Sequence, residues 1–324
     1  MGRFVYLEFP ADFHGRPRSA AIPFRCAALA LACLSLGASP PNAEAQEAGG
    51  PQLQHFGAQL QIEPRRITLT PDNAEARVAL SVPWGEGVFD VSLVDRIMTP
   101  DGRILAVSES DGEIEAPALI AQLRSARPFV ATSAEAIALQ SGRAPRDVRV
   151  ALVAMPPEPG EYRTHLTLTA QRPSDQPAAA PSMTWAHTIP VILRVGPPDA
   201  QGVIENARVE LRDVDAATTL GARQRVLAFD LVRSGSSSLF GDLSLHMPDG
   251  RAVTLAQSIA VYGELDRRRL ALPLNGPASG LVELRYTDRD TRPGEVIARA
   301  WVNLSPRREA DAAKAIGRLE AIAD

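Results

Sequence analysis

The side chains of this sequence that could carry out chemistry are scattered rather than grouped. His55, His165, His187 and His246 are far apart, and none lies in an H-E-x-x-H or H-x-H pattern. His165 and His187 fall in predicted strands that can be neighbours, so a two-histidine metal site is one interpretation. Ordinary strand residues are the favoured interpretation, because no cysteine or nearby carboxylate completes a ligand set.

Other motifs for catalysis or cofactor binding are also missing. The sequence has neither a G-x-S-x-G nor a phosphate-binding loop. Residues 235–238 (GSSS) could hold an anion on backbone N–H groups, but a hairpin loop is the favoured reading. Residues 288–290 (DRD) are too short for a calcium loop and are interrupted by arginine. We therefore expect no enzymatic activity, no metal and no cofactor.

The composition is that of a folded protein that does not bind nucleic acid. The chain has 324 residues, 45% hydrophobic, with a formal net charge of −4. Its length allows two domains, and nucleic-acid binders usually carry a strong basic excess. Only one basic residue is a lysine, Lys314, and the others are arginines.

The N-terminus has the features of a secretory signal peptide. Arg16, Arg18 and Arg25 precede an apolar run at residues 26–38, and an A-x-A signal follows at residues 43–45. Cleavage after Ala45 would leave a loose leader at residues 46–57 and remove both cysteines. The sequence thus predicts a periplasmic protein that cannot use disulfides, and no later apolar run is long enough to span a membrane.

The rest of the chain alternates apolar and polar residues in short segments. Strand patterns recur about every 8–12 residues, which predicts an all-β fold of two tandem antiparallel β-sandwiches. We place them at residues 58–196 and 203–304, with a Pro-Pro linker at 197–202. Helical spacing occurs only at residues 115–125 and in the tail at 305–324, which we interpret as a short or frayed helix.

Within this pattern, five segments together resemble the PapD-like periplasmic chaperones of pilus assembly, as a divergent branch. Each segment is a weak signal alone, but their order and spacing span residues 58–304. The segments are 60–69 (LQIEPRRITL), 129–142 (FVATSAEAIALQSG) with 147–150 (DVRV), 160–168 (GEYRTHLTL), 189–196 (IPVILRVG) and 231–243 (LVRSGSSSLFGDL).

The resemblance implies that the two tandem β-sandwiches are immunoglobulin-like and that the protein binds and caps pilus or fimbrial subunits. In this family, the strand that closes the first domain completes the unfinished sheet of a subunit, whose terminal carboxylate is held by basic residues between the domains. The subunit then passes to an outer-membrane usher without the use of ATP. The implied partners are therefore a subunit and an usher, and the implied location is the periplasm.

Carried over residue by residue, the resemblance assigns the carboxylate anchor to Arg66 and Arg194. Arginine suits this role because it binds a carboxylate through two parallel hydrogen bonds. The family's usual lysine on the donor strand is replaced by Pro190, so this second anchor is either missing or supplied elsewhere, with Arg65 and Arg163 as the candidate substitutes. We also expect strand pairing to be interrupted at Pro190, which has no N–H.

The donor strand is predicted to use Met183, Trp185 and Ile189, which alternate after a Pro- and Ala-rich stretch at residues 172–182. The alternative is that the chain is a structural or adhesive component of a surface fibre. Such a component would need alternating apolar residues before its first domain. The leader offers only Leu53 and Phe56, which disfavours this alternative.

Overall fold

The computed structural model describes residues 5–6, 60–171, 185–213, 223–274 and 280–305. Apart from Val5–Tyr6 and Ser305, the predicted signal peptide, leader and C-terminal tail lie outside the described residues, as does the stretch at 172–182. Among the described residues, no helix has the length and apolar character needed to cross a membrane.

Two sheets form the first sandwich. One sheet contains β1 (Val5–Tyr6), β3 (Ile67–Leu69), β5 (Glu86–Val94), β9 (Ala136–Gln140), β11 (Gly160–Ala170) and β12 (Trp185–Val195). The other contains β2 (Gln61–Glu63), β4 (Glu75–Ser81), β8 (Val130–Thr132) and β10 (Arg146–Leu152). In the first sheet, β12 lies between β11, which is antiparallel to it, and the short parallel strands β1 and β3.

Apolar residues alternate with charged and polar residues along β11 and β12, so the two faces of this sheet differ. Leu166 and Leu168 of β11 lie in the core of the first sandwich, together with Val191 and Leu193 of β12. Because successive side chains point to opposite faces of a strand, the residues between them face away from that core. The register pairs Glu161 with Arg194 and His165 with Pro190 on this second face.

The pairing of β11 with β12 continues through Pro190 without a shift in register. The expected interruption at this proline is therefore wrong. Residues in an antiparallel pair alternate between positions that exchange two hydrogen bonds and positions that exchange none, so a proline is accepted where its N–H is not required.

The second sandwich contains one sheet of three strands and one of four. The smaller sheet is β13 (Gln201–Asp213), β14 (Arg223–Ser234) and β17 (Arg267–Pro273). The larger sheet is β15 (Leu239–His246), β16 (Ala252–Val261), β18 (Leu281–Asp288) and β19 (Val296–Asn303). The predicted all-β fold with two tandem immunoglobulin-like sandwiches is confirmed, and β13 already begins at Gln201, inside the predicted linker.

A segment between β5 and β8 belongs to the first sandwich in sequence but packs on the second. It contains a hairpin of β6 (Arg96–Met98) and β7 (Ile104–Ala106), followed by helix α1 (Ala116–Gln122). Ile97, Met98 and Leu119 are buried in one cluster with the core of the second sandwich. We call this segment, residues 96–122, the insertion.

The turn of the hairpin is held against the second sandwich by its backbone. The N–H of Arg269 donates to the Pro100 carbonyl oxygen over 2.6 Å. Gly102 has a φ of +90°, and a Cβ atom there would lie 2.3 Å from Nη2 of Arg268. Glycine is favoured at this turn because residues with a Cβ rarely adopt its left-handed backbone conformation.

We predict that Ile97→Ala lowers the free energy of unfolding by about 2–5 kcal/mol, because it removes a fully buried side chain from the shared cluster. Chemical denaturation monitored by tryptophan fluorescence measures the change. The matched control is Ile114→Ala in the same insertion. Ile114 is 98% exposed, so its change should stay within about 0.5 kcal/mol. Equal costs for the two variants would contradict the packing described for the insertion.

Candidate functional site

The face of β11 and β12 that points away from the first core meets the second sandwich. Glu161, Arg163 and His165 of β11 are buried there, as is Arg194 of β12. Arg66 immediately precedes β3, whose Ile67 pairs with Val191 of β12. We call the region where these residues meet the second sandwich the junction.

Arg66 and Arg194 converge on a single carboxylate oxygen of the second sandwich. Nη2 of Arg66 donates to Oδ2 of Asp290 over 2.9 Å, and Nη2 of Arg194 donates to the same oxygen over 2.8 Å. The guanidinium of Arg66 also lies over the ring of Phe240, 4.5 Å from its centroid. The two arginines that the sequence singled out are thus brought together, and the group between them is a carboxylate.

Arg194 is also paired within its own sandwich. Its Nη2 donates to Oε2 of Glu161 over 2.8 Å. Oε1 of Glu161 accepts the backbone N–H of Ser238 over 3.1 Å and also accepts the Ser238 hydroxyl. Glu161 therefore links an arginine of the first sandwich to the loop before β15 in the second, and both of its oxygens are used.

The loop after β18 fixes the position of Asp290. Oδ1 of Asp288 accepts the N–H of Asp290 over 3.0 Å, and its Oδ2 accepts the Thr291 hydroxyl and the Arg292 N–H. Short polar side chains commonly shape turns by bonding to the backbone in this way. The DRD sequence is therefore a loop that holds a carboxylate toward the first sandwich.

The charges at this point stabilise one another. Burial alone would raise the pKa of Asp290, but hydrogen bonds and charge from Arg194 and Arg66 bring that pKa below its ordinary value. Burial alone would lower the pKa of Arg194, and its bonds to Asp290 and Glu161 raise it instead. Asp290 and Arg194 are therefore both ionised at neutral pH.

A second ion pair lies farther along the junction. Nη2 of Arg163 donates to Oε1 of Glu264, which also accepts the N–H of Met98 over 2.9 Å. The same Nη2 donates to the Arg96 carbonyl oxygen over 2.7 Å. The Arg163 guanidinium lies 3.8 Å from the centroid of the Tyr262 ring. This pair ties β11, the insertion and the second sandwich together.

His165 lies beside this pair and is completely buried. Neither of its ring nitrogens has a hydrogen-bond partner within the described part of the chain, and the Tyr262 ring meets it edge-on at 6.3 Å. Burial lowers the pKa of His165 well below its ordinary value, and the charges of Arg163, Arg96 and Arg66 lower it further. The imidazole is therefore neutral in the folded protein.

The two predicted strand histidines do not form a site. His187 pairs in register with Leu168, which faces the first core, whereas His165 faces the junction. The two side chains therefore project from opposite faces of the sheet. No group of three or more histidine, cysteine or carboxylate side chains is placed to hold a metal within the ranges that the structure describes.

The predicted donor residues have different surroundings. Trp185 begins β12, is half-buried, and pairs with Val5 of β1. Ile189 is buried in the core of the first sandwich. This burial contradicts the prediction that Ile189 is exposed to a subunit, because the residue alternates with Val191 and Leu193 on the core face. Met183 lies outside the described residues.

The other residues that the sequence analysis singled out lie in different surroundings. Arg65 is exposed, whereas Arg163 is buried in the junction. The predicted hairpin loop at residues 235–238 is arranged around Arg233, whose Nη1 donates to the Gly235 and Ser237 carbonyl oxygens over 2.7 and 3.2 Å. Sequence reasoning did not identify Asp290 or Glu264 as junction residues. Both lie in the second sandwich, and only the folded chain brings them to the arginines.

Comparisons with known proteins found similarity among solved structures alone. No family model matches the chain, and no curated protein matches it. The chain is similar to the chaperone in the CsuC–CsuE chaperone–tip adhesion subunit complex of Acinetobacter baumannii Csu pili, at 11% identity and a TM-score of 0.38, covering 75% of this chain and 97% of that chain.

Two further similar structures are also described as chaperones. The CupB2 chaperone of Pseudomonas aeruginosa has 11% identity and a TM-score of 0.37, covering 76% of this chain and 100% of that chain. The SafB chaperone in complex with the SafA pilin of Salmonella enterica has 11% identity and a TM-score of 0.36, covering 76% of this chain and 96% of that chain. At this level of similarity, the function of this chain has to be argued from its own residues.

We predict that Glu161→Gln lowers the free energy of unfolding by about 3 kcal/mol, because it removes the buried negative charge between Arg194 and Ser238. Urea denaturation at pH 7 measures the change. Glu158→Gln is the control, since Glu158 has a side chain that is 77% exposed and its pair with Arg124 is at the surface. A Glu161 variant as stable as the control would show that the junction does not depend on this carboxylate.

The neutral His165 predicts a loss of stability in mild acid. The pKa of His165 in the folded protein lies below its ordinary value of 6.5. Protonation of this histidine therefore does not reduce the free energy of unfolding above about pH 6.5, but reduces it progressively as the pH falls below that value. The loss is up to about 1.4 kcal/mol per pH unit for one proton. Denaturation curves between pH 7.5 and 5 should show this slope in the wild type and a flatter one in His165→Leu.

His187 provides the comparison for this measurement. It is half-buried, and burial lowers its pKa to a lesser degree. His187→Leu should therefore flatten the pH dependence less than His165→Leu does. Parallel curves for the wild type and His165→Leu would contradict the assignment of a neutral, buried imidazole at the junction.

Proposed function

We propose that the mature chain is a periplasmic chaperone that binds and caps pilus or fimbrial subunits by donating a β-strand, before an outer-membrane usher takes them over. The observation that carries this proposal is the convergence of Arg66 and Arg194 on one carboxylate at the junction, beside the strand that closes the first sandwich. The resemblance of the sequence assigned a carboxylate anchor to these same two arginines.

The chemistry of the junction supports binding of a terminal carboxylate. The Asp290 carboxylate makes the charge-assisted hydrogen bonds with Arg66 and Arg194 that a subunit terminus would make. Arg66 is at the margin of the junction, with 12% of its side chain exposed, and its Nε and Nη1 are buried without a hydrogen-bond partner among the described residues. The Arg66 guanidinium therefore binds a carboxylate through Nη2.

The edge of β12 supports strand donation. On the side away from β11, β1 pairs with Trp185 and Ala186, and β3 pairs with Val191–Leu193. Among the described residues, no strand pairs with this edge between His187 and Pro190. An unpaired edge offers backbone N–H and carbonyl groups to an added strand.

The contact with β1 indicates how such a strand could be oriented. Val5–Tyr6 pairs in parallel with the start of β12, although these residues belong to the predicted signal peptide. After cleavage, the same edge would be open to a subunit. Trp185 is then the described side chain best placed to enter the subunit core, and Ile189 stays in the chaperone.

The alternative of a fibre component uses the same edge differently. A chain that adds its own strands to neighbouring copies would be found in surface fibres rather than bound to a smaller subunit. No described contact favours this alternative over the chaperone, so it serves as an outcome of the experiment.

The test is recovery of partners from the periplasm by a tagged mature protein. We expect a small secreted subunit to co-purify with the wild type, and Arg66→Ala to reduce its recovery at least tenfold because the anchor loses a charge-assisted contact. Arg65→Ala is the control, since it removes a neighbouring arginine that is exposed. Melting temperatures of all three proteins confirm that they are folded.

Three outcomes would contradict parts of the proposal. A subunit that remains bound to Arg66→Ala but is lost from Arg65→Ala would show that the anchor assignment is wrong. A subunit that remains bound to both variants would exclude an arginine anchor at either position. Absence of any subunit, with the protein itself present in surface fibres, would overturn the chaperone function in favour of the structural one.

A further inference from the structure

Asp290, Arg194 and Arg66 differ in how many charged partners each one has, and this difference bears on ligand binding. Asp290 is bound by two arginines, and Arg194 is bound by two carboxylates. Arg66 has only Asp290 as a hydrogen-bond partner among the described residues. If the contact between Arg66 and Asp290 breaks, Asp290 keeps Arg194, and Arg194 keeps Glu161. Only the charge of Arg66 would then lack an oppositely charged partner among these residues.

Arg66 would keep its place when this contact breaks. Its guanidinium lies over the Phe240 ring, and such a contact holds a cation by the charge distribution of the ring. Asp290 would keep its place as well, because Asp288 holds the loop through three hydrogen bonds. The exchange therefore needs one carboxylate to replace another at Arg66, without unfolding of the loop.

We propose that Asp290 is an internal competitor for the carboxylate of the ligand at Arg66. This inference rests on the proposed function and adds a specificity-determining residue to it. A carboxylate that makes no other contact with the protein gains little binding free energy by displacing Asp290, since one ion pair replaces another. A subunit that also adds a strand to β12 has further binding energy with which to displace it. Asp290 thus makes the anchor selective for carboxylates that belong to an extended partner.

The test uses acetate as the carboxylate probe and acetamide as its neutral counterpart. Binding is followed through the ¹⁵N–¹H signal of the Arg66 Nε group in the full mature protein. Asp290→Asn keeps the size of the side chain and removes its charge. We expect this variant to bind acetate at least fivefold more tightly than the wild type, in the usual range of coupling between sites, and to bind acetamide no better.

The control is Glu295→Gln, which removes a carboxylate from the same loop. Glu295 is exposed and pairs with Arg292, not with Arg66. It should bind acetate as the wild type does. Equal or weaker acetate binding by Asp290→Asn would overturn the competitor role, and so would an equal gain in Glu295→Gln, since the effect would then be one of net charge.

A measurement on the wild type decides the matter if Asp290→Asn does not fold. The ¹³C carboxyl resonance of Asp290 should move on addition of a captured subunit, because Asp290 loses its hydrogen bond from Arg66 to the subunit carboxylate. A resonance that does not move while the subunit binds would overturn the proposal.

Failure of the inference and failure of the proposed function give different results. Subunit capture that depends on Arg66, without tighter acetate binding in Asp290→Asn, contradicts the competitor role alone. Subunit capture that is independent of Arg66 contradicts the anchor itself.

Discussion

Charge buried between two sandwiches constrains the whole molecule. Removing an ion from water is costly unless an opposite charge and hydrogen bonds replace its hydration. Arg66, Arg163 and Arg194 of the first sandwich each reach a carboxylate at the junction, and Asp290 and Glu264 of the second sandwich provide two of these carboxylates. The two arginines that the resemblance assigned to a carboxylate anchor, Arg66 and Arg194, are therefore among the groups that join the two sandwiches.

Strand alternation explains how one strand pair serves both purposes. Even-numbered residues of β11 and odd-numbered residues of β12 fill the first core, and their neighbours carry the charges of the junction. A shift of one residue in register would place arginines in the core and leucines at the junction. The core thus fixes the position of the charges, and a substitution in either face of these strands affects the other.

Local patterns in the sequence were sufficient for the fold and for part of the site. The helix within residues 115–125 and the two sandwiches follow from spacing and turn residues. Arg66 and Arg194 followed from resemblance. Asp290 and Glu264 could not be predicted as their partners, because pairing over about 100 residues or more depends on how the sandwiches meet. Ile189 was misplaced because alternation states which residues share a face, and not which face is buried.

The insertion has a consequence for how the protein can be divided. Ile97, Met98 and Leu119 belong to an apolar cluster whose members outside the insertion come mainly from the second sandwich. A fragment cut at the linker would expose these side chains on one piece and leave a gap in the core of the other. The two sandwiches should therefore not unfold independently of each other. They should melt in a single cooperative transition, and a partner bound to one should stabilise both.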